Sequence, residues 1–125
     1  MPLYIVEKLF DSITVLDVRG RLVLGPETAH LREKVREVTA AGRTRIILKL
    51  EGVSYIDSSG LSTLLGCLVS TRKLGGELKL SHLTTRVRDL LQITHLTMIF
   101  ETYNSVEEAR RSFENPRAAS SPPGV

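Results

Sequence analysis

The chain has 125 residues, of which 42% are hydrophobic, so it can bury the core of one compact domain without disulfide bonds. Its 17 basic and 14 acidic residues leave a net charge of +3. The basic residues are spread along predicted helices beside glutamates, which favours solvated helix faces over a nucleic-acid-binding surface. No run approaches the ~18 apolar residues of a membrane span, and the N-terminus lacks the features of a signal peptide. We therefore expect a cytoplasmic protein that contacts neither nucleic acid nor membrane directly.

Hydrophobic periodicity in the first half of the chain predicts strands followed by a helix. Residues 3–8 and 13–19 are predicted to form a hairpin, and residues 20–25 a short third strand. A helix is predicted over 26–41, beginning with Pro26 and burying Leu31, Val35 and Val38. The almost continuous apolar run 45–50 is typical of a buried parallel strand. Residues 51–55 are predicted to be a loop.

In the second half, a helix is predicted to run to residue 73, with leucines from Leu61 to Leu68 at helical spacing. Strands are predicted over 77–80 and 98–103, and helices over 84–92 and 105–113, the last capped by Ser105. This order predicts an α/β fold with a mixed sheet of about four to five strands and about four helices. Residues 1–113 would form the domain. Residues 114–125 carry almost no large apolar side chain and are expected to be a disordered tail.

Between the predicted strand and the leucine-rich helix lies the sequence Ile56-Asp57-Ser58-Ser59-Gly60-Leu61. Asp57 is a good helix N-cap, and the two serines fall where the helix begins. Free backbone N–H groups and the positive end of the helix dipole would favour an added phosphate there. A serine at this position is therefore a plausible covalent switch.

This stretch, with the strand before it and Leu64-Leu65 after it, resembles the signature of the anti-sigma factor antagonists, which are small STAS-domain proteins. The resemblance extends over roughly residues 3–113. It includes the Gly-Gly turn and strand of 75–80, the helix of 85–91 and the last strand and helix of 100–113. The resemblance implies a STAS fold.

The resemblance also implies a function that is regulatory rather than enzymatic, without a cofactor or metal. The protein would bind an anti-sigma factor with serine kinase activity and so release a sigma factor. The kinase would phosphorylate Ser58 and end the interaction, and a serine phosphatase would restore it. The partner surface would comprise Asp57, Ser58, Ser59 and Gly60. The glycine either permits close approach of a partner's backbone, which the family motif favours, or fits a crowded helix start. One alternative function stays open: a STAS scaffold or transport accessory subunit that binds its partner without phosphorylation. Whether the protein forms a homodimer also stays open for both functions.

The chain departs from the family at one segment. Many members read Gly-Glu-Leu-Asp where this chain has Gly20-Arg21-Leu22-Val23. Arg21 and Val23 replace two acids in a segment that faces the partner in the family. We expect both residues to contact the partner here, and their replacement leaves the identity of that partner open.

Enzyme chemistry has little support in the sequence. The three histidines, His30, His82 and His95, lie on separate elements without metal-ligand spacing. His82 follows a neighbouring strand and is the histidine that could approach Ser58, but the surrounding sequence is not a nucleophile elbow. Cys67 lies in an apolar helical run and is expected to be a small buried hydrophobe, which also agrees with a reducing compartment.

Overall fold

The computed structural model describes residues 3–114, which form a single five-stranded sheet with four helices. The elements follow in chain order: β1 Tyr4–Phe10, β2 Ile13–Leu22, α1 Pro26–Ala40, β3 Arg45–Ile56, α2 Ser58–Lys73, β4 Glu77–Ser81, α3 Thr85–Ile93, β5 Thr102–Tyr103 and α4 Val106–Glu114. The sheet order is β1-β2-β3-β4-β5, with β1 antiparallel to β2 and all other neighbours parallel. The predicted mixed sheet and its four helices are confirmed.

The helices cover both faces of the sheet. The larger apolar cluster joins the inward stripes of α1, α2 and α3 to one face, for example Leu31 and Leu64 against Leu48. The smaller cluster places α4 on the other face, where Phe113 and Ala109 join the cluster of Ile47. Because strand side chains alternate, the apolar run of β3 supplies both clusters and is buried on both sides.

Three predicted boundaries are wrong, the first two because strand pairing overrides local sequence. Residues 51–55 continue β3 instead of forming a loop, because they pair with the end of β2. Residues 20–22 belong to β2 itself, which bends at two register shifts near Gly20 (φ 117°). The predicted strand 98–103 shrinks to Thr102–Tyr103, and Met98 is 91% exposed.

The predicted starts of α1 and α4 are confirmed, and α3 begins one residue later than predicted, with Thr84 as its N-cap. Pro26 occupies the first turn of α1, the Thr84 hydroxyl accepts the Val87 amide at the start of α3, and the Ser105 hydroxyl accepts the Glu108 amide at the start of α4. Helix α4 extends through Glu114, which the sequence analysis assigned to the tail. The remainder of the predicted tail, 115–125, lies outside the described residues.

Candidate functional site

The site is built on the junction between β3 and α2, where Asp57 is the N-cap of α2. One carboxylate oxygen of Asp57 accepts the Gly60 amide at 2.8 Å, and the Asp57 carbonyl accepts the Leu61 amide at 3.0 Å. The predicted cap is thus confirmed. These bonds satisfy backbone groups that would otherwise lack partners at the helix start.

The second carboxylate oxygen of Asp57 reaches a different segment. It accepts the backbone amide of Leu24 at 3.1 Å, across 33 residues of sequence. The Asp57 amide in turn donates to the Leu22 carbonyl at 3.4 Å. The turn between β2 and α1 is therefore fastened to the start of α2. The hydrogen bond from Gly60 is the main cause that lowers the pKa of Asp57, with a smaller contribution from Leu24, while burial acts in the opposite direction.

Gly60 is buried, and the atoms packed around it leave no room for a side chain. A Cβ atom at this position would overlap the Leu22 carbonyl oxygen and lie 2.9 Å from Cγ1 of Ile56. The glycine therefore lets α2 pack closely on the end of β2. The structure thus supports the second interpretation of Gly60, a crowded helix start, and a contact of Gly60 with a partner's backbone stays a prediction.

The two serines differ in exposure. Ser58 is exposed and Ser59 is partly buried at the start of α2. Both line an open cleft of about 460 Å³, whose other residues are Leu24, Thr28, Arg32, Ser62, Thr63 and Gly66. The Arg32 guanidinium donates to the Thr63 hydroxyl at 3.4 Å across the cleft. Sequence reasoning had not connected α1 to this site; the helical spacing of α1 identifies its buried stripe but not which neighbour its exposed face meets.

The segment with the departures lies beside this helix start. In the parallel pairing of β2 with β3, Arg21 is opposite Tyr55 and Leu22 is opposite Ile56. The Arg21 guanidinium is exposed and lies 5.5 Å from the centre of the Tyr55 ring. Val23 is partly buried, two residues further on. The 20–25 segment therefore lies beside the start of α2.

Sequence reasoning missed Tyr55 and Arg86. Tyr55 was placed in a predicted loop, and Arg86 lies on α3, whose first turn packs near the end of β3. The Arg86 guanidinium lies 4.6 Å from the centre of the same Tyr55 ring. A parallel register between β2 and β3 would have indicated the Arg21–Tyr55 pair, but nothing local indicated Arg86.

The remaining candidates for chemistry lie elsewhere. His82 lines a separate cleft with Glu51, Arg88 and Asn104, and it is not among the residues that line the cleft of Ser58. Within residues 3–114 no three His, Cys, Asp or Glu side chains are grouped to hold a metal ion. Cys67 is 2% exposed, and burial raises the pKa of its thiol to about 11, so it behaves as the predicted small hydrophobe.

The fold and the residues at this helix start define a class of protein. The family model for the STAS domain matches residues 4–109, and the chain belongs to that family. BtrV of Bordetella bronchiseptica, assigned as an anti-sigma factor antagonist, is 36% identical over 104 residues, covering 83% of this chain and 89% of BtrV. The anti-sigma-B factor antagonist of Bacillus subtilis is 42% identical over 72 residues, covering 57% of this chain and 64% of that protein.

A solved structure gives the same fold. The crystal structure of a Thermotoga maritima protein, also assigned as an anti-sigma factor antagonist, superimposes with a TM-score of 0.83 and 25% identity. The superposition covers 89% of this chain and 95% of the other. Among the described helices, none is long and apolar enough to cross a membrane.

Proposed function

We propose that this chain is an anti-sigma factor antagonist whose binding to an anti-sigma factor is switched by phosphorylation of Ser58. The observation that supports this proposal is that Asp57 and Ser58 have different roles at the start of α2. Asp57 has both carboxylate oxygens engaged in holding the helix start, while the neighbouring Ser58 is exposed at the edge of a cleft. A kinase can therefore reach this serine without dismantling the helix cap. The antagonist names of the relatives support the same role.

The energetics favour a binding switch over a folding switch. A phosphate on Ser58 would bring about −1.5 to −2 charges to the positive end of α2. The helix end favours it by roughly 0.3 to 1 kcal/mol, and the Asp57 carboxylate repels it by a similar amount in water. Both terms are small beside a domain stability of roughly 5 to 15 kcal/mol. The effect of the phosphate must then arise at a partner's surface, where a desolvated double charge is costly.

The proposed cycle has two external enzymes. Unmodified protein binds an anti-sigma factor that is also an ATP-dependent serine kinase, and this binding releases the sigma factor. The kinase then phosphorylates Ser58 and the complex separates. A serine phosphatase removes the phosphate and restores binding. The cycle takes place in the cytoplasm, where sigma factors act.

The proposed partner surface contains four exposed or partly exposed residues, Ser58, Ser59, Arg21 and Val23. Asp57 supports it through its bonds to Leu24 and Gly60 rather than by an unpaired charge. Because Asp57 fastens the 20–25 segment to α2, a partner would meet the two segments as one surface.

The experiment is incubation of the full chain with its anti-sigma factor kinase and ATP, followed by mass spectrometry of the intact protein and its peptides. We expect a single phosphate on Ser58, absent from Ser58→Ala. Ser59→Ala is the matched control, since it removes the neighbouring hydroxyl in the same cleft, and it should be modified normally. Phosphate retained by Ser58→Ala would refute the assignment. Binding to the kinase without any modification would instead favour the STAS scaffold function.

A further inference from the structure

The second feature of this surface is a pair of arginines over one aromatic ring. Arg21 comes from the end of β2 and Arg86 from the first turn of α3, and both guanidinium groups lie over the ring of Tyr55, at 5.5 Å and 4.6 Å from its centre. Tyr55 is 37% exposed and stands three residues before Ser58. Three separate elements thus place two positive charges beside the helix start.

These two charges are not neutralised by the described part of the chain. Arg19, Arg36 and Arg72 each form an ion pair with a carboxylate, whereas neither Arg21 nor Arg86 does so within residues 3–114. The carboxylate that shares a cleft with Arg86 is Asp89, one turn further along α3, and the two form no ion pair. Two like charges held at one ring repel each other, so an added negative group would relieve the repulsion.

Within residues 3–114, neither Arg21 nor Arg86 donates a side-chain hydrogen bond to the chain, unlike Arg19, Arg32, Arg36, Arg43, Arg45 and Arg72. A guanidinium in a cation–π contact with a ring can still donate its N–H groups to a carboxylate. Arginine guanidinium groups bind carboxylates in a bidentate manner. Beside Arg86, an open cleft of about 520 Å³ includes the apolar side chains of Ile56, Leu90 and Ile93, and Ile93 is 74% exposed.

We propose that Arg21, Tyr55 and Arg86 form a docking surface for an acidic segment of the partner protein. The surface would select the partner by charge, separately from the phosphorylation of Ser58. The identity of the partner as an anti-sigma factor rests on the proposed function, but the acidic chemistry of its contacting segment rests on these three side chains.

The test uses the isotope-labelled full chain, hexaglutamate peptide as the probe and nuclear magnetic resonance at low salt. We expect the peptide to shift the side-chain Nε–Hε signals of Arg21 and Arg86 and the backbone amides of residues 55–58. In the double variant Arg21→Gln/Arg86→Gln, affinity for the peptide should fall roughly tenfold. The matched control is Arg88→Gln/Arg111→Gln, which removes the same net charge from exposed positions on α3 and α4 and should change affinity less than about twofold.

Three results would overturn the proposal. The first is an equal loss of peptide affinity in both double variants, and the second is chemical-shift changes confined to residues other than Arg21, Arg86 and 55–58. The third is equally tight binding of a hexauridylate, which would indicate RNA rather than an acidic protein segment as the ligand. Should the glutamine double variant fail to fold, Arg21→Lys/Arg86→Lys keeps the charge but lacks the planar donor edge. It should bind the peptide less tightly than the natural protein, and unchanged binding would equally overturn the proposal. Because no kinase is present in this titration, a negative result would not affect the proposed phosphorylation of Ser58. Likewise, absence of phosphorylation on Ser58 would not affect the proposed docking surface.

Discussion

The Asp57 carboxylate accepts the backbone amide of Leu24 at 3.1 Å while its other oxygen caps α2 through Gly60 at 2.8 Å. One side chain therefore orders two segments that are far apart in sequence. The aspartate before the candidate phosphorylation site consequently has a structural role that a helix cap alone does not describe. Loss of this carboxylate is expected to affect stability and partner binding together.

Replacement of Asp57 by alanine should lower the free energy of unfolding by about 1–2 kcal/mol, because both the cap and the bond to Leu24 are lost. Asp57→Asn keeps one acceptor for the cap and should lower the free energy of unfolding by less than Asp57→Ala. Urea unfolding monitored by circular dichroism measures both. Asp89→Ala is the control, since Asp89 is exposed on α3 and its loss should stay within about 0.5 kcal/mol. Equal stability of the Asp57→Ala and Asp89→Ala proteins would contradict the structural role.

The same carboxylate predicts a pH dependence. The pKa of Asp57 is lowered in the folded protein, chiefly by the Gly60 hydrogen bond, so its charged form stabilises the fold. That contribution is fully present above the unfolded pKa of about 4 and is lost as pH falls through the lower folded pKa. The stability difference between the natural protein and Asp57→Asn should therefore be constant from neutral pH to about pH 4 and then shrink. Urea midpoints at several pH values test this, and a difference that grew on acidification would contradict it.

Two glycines of α2 offer a matched pair of substitutions. Gly60→Ala would force a methyl group against the Leu22 carbonyl and should destabilise the fold by about 1–3 kcal/mol. Gly66 lies in the same helix, and a Cβ added there meets nothing within 4 Å. Gly66→Ala should therefore stabilise the protein by up to about 1 kcal/mol. Thermal melting of the two variants measures the contrast. If both shift the melting temperature in the same direction, the close contact between α2 and β2 does not have the proposed effect.

A negative charge at Ser58 should preserve the fold and abolish the partner interaction. Ser58→Asp places the charge at the favourable end of α2, so its melting temperature should change by only a few degrees. Binding to the anti-sigma factor should fall strongly, because the charge is desolvated in the complex. Ser70→Asp adds the same charge about three turns further along α2, at an exposed position outside the Ser58 cleft, and serves as the control for general charge effects. A large drop in melting temperature for Ser58→Asp would mean that the switch acts through folding.

Most of the elements were predictable from sequence because the helices carry buried stripes and the central strands β2 and β3 are rich in apolar residues. Periodicity identifies such stripes without tertiary information, as at Leu31, Val35 and Val38. The cap at Asp57 was likewise predictable, since its effect is local. The continuation of β3 through residues 51–56 was not, because this short stretch contains Gly52 and no continuous apolar run, and it is held in the strand by pairing with β2.

The site was predictable only in part for the same reason. Ser58 and its neighbours are adjacent in sequence, so the helix start could be located directly. The contact of Arg86 with Tyr55 depends on where α3 packs, and the role of Gly60 depends on the Leu22 carbonyl of another strand. Long-range contacts of this kind leave no periodic signal in a single sequence.

The proposed switch at Ser58 is tested most directly by the affinity of the anti-sigma factor for the unmodified protein and for the same protein phosphorylated on Ser58. Isothermal titration calorimetry of the two forms gives both affinities, and melting curves show that both are folded. We predict that the phosphate weakens binding by at least about a hundredfold, since burying it beside Asp57 costs several kcal/mol and each 1.4 kcal/mol is tenfold in affinity. Equal affinities for the two folded forms would contradict the claim that Ser58 is a binding switch.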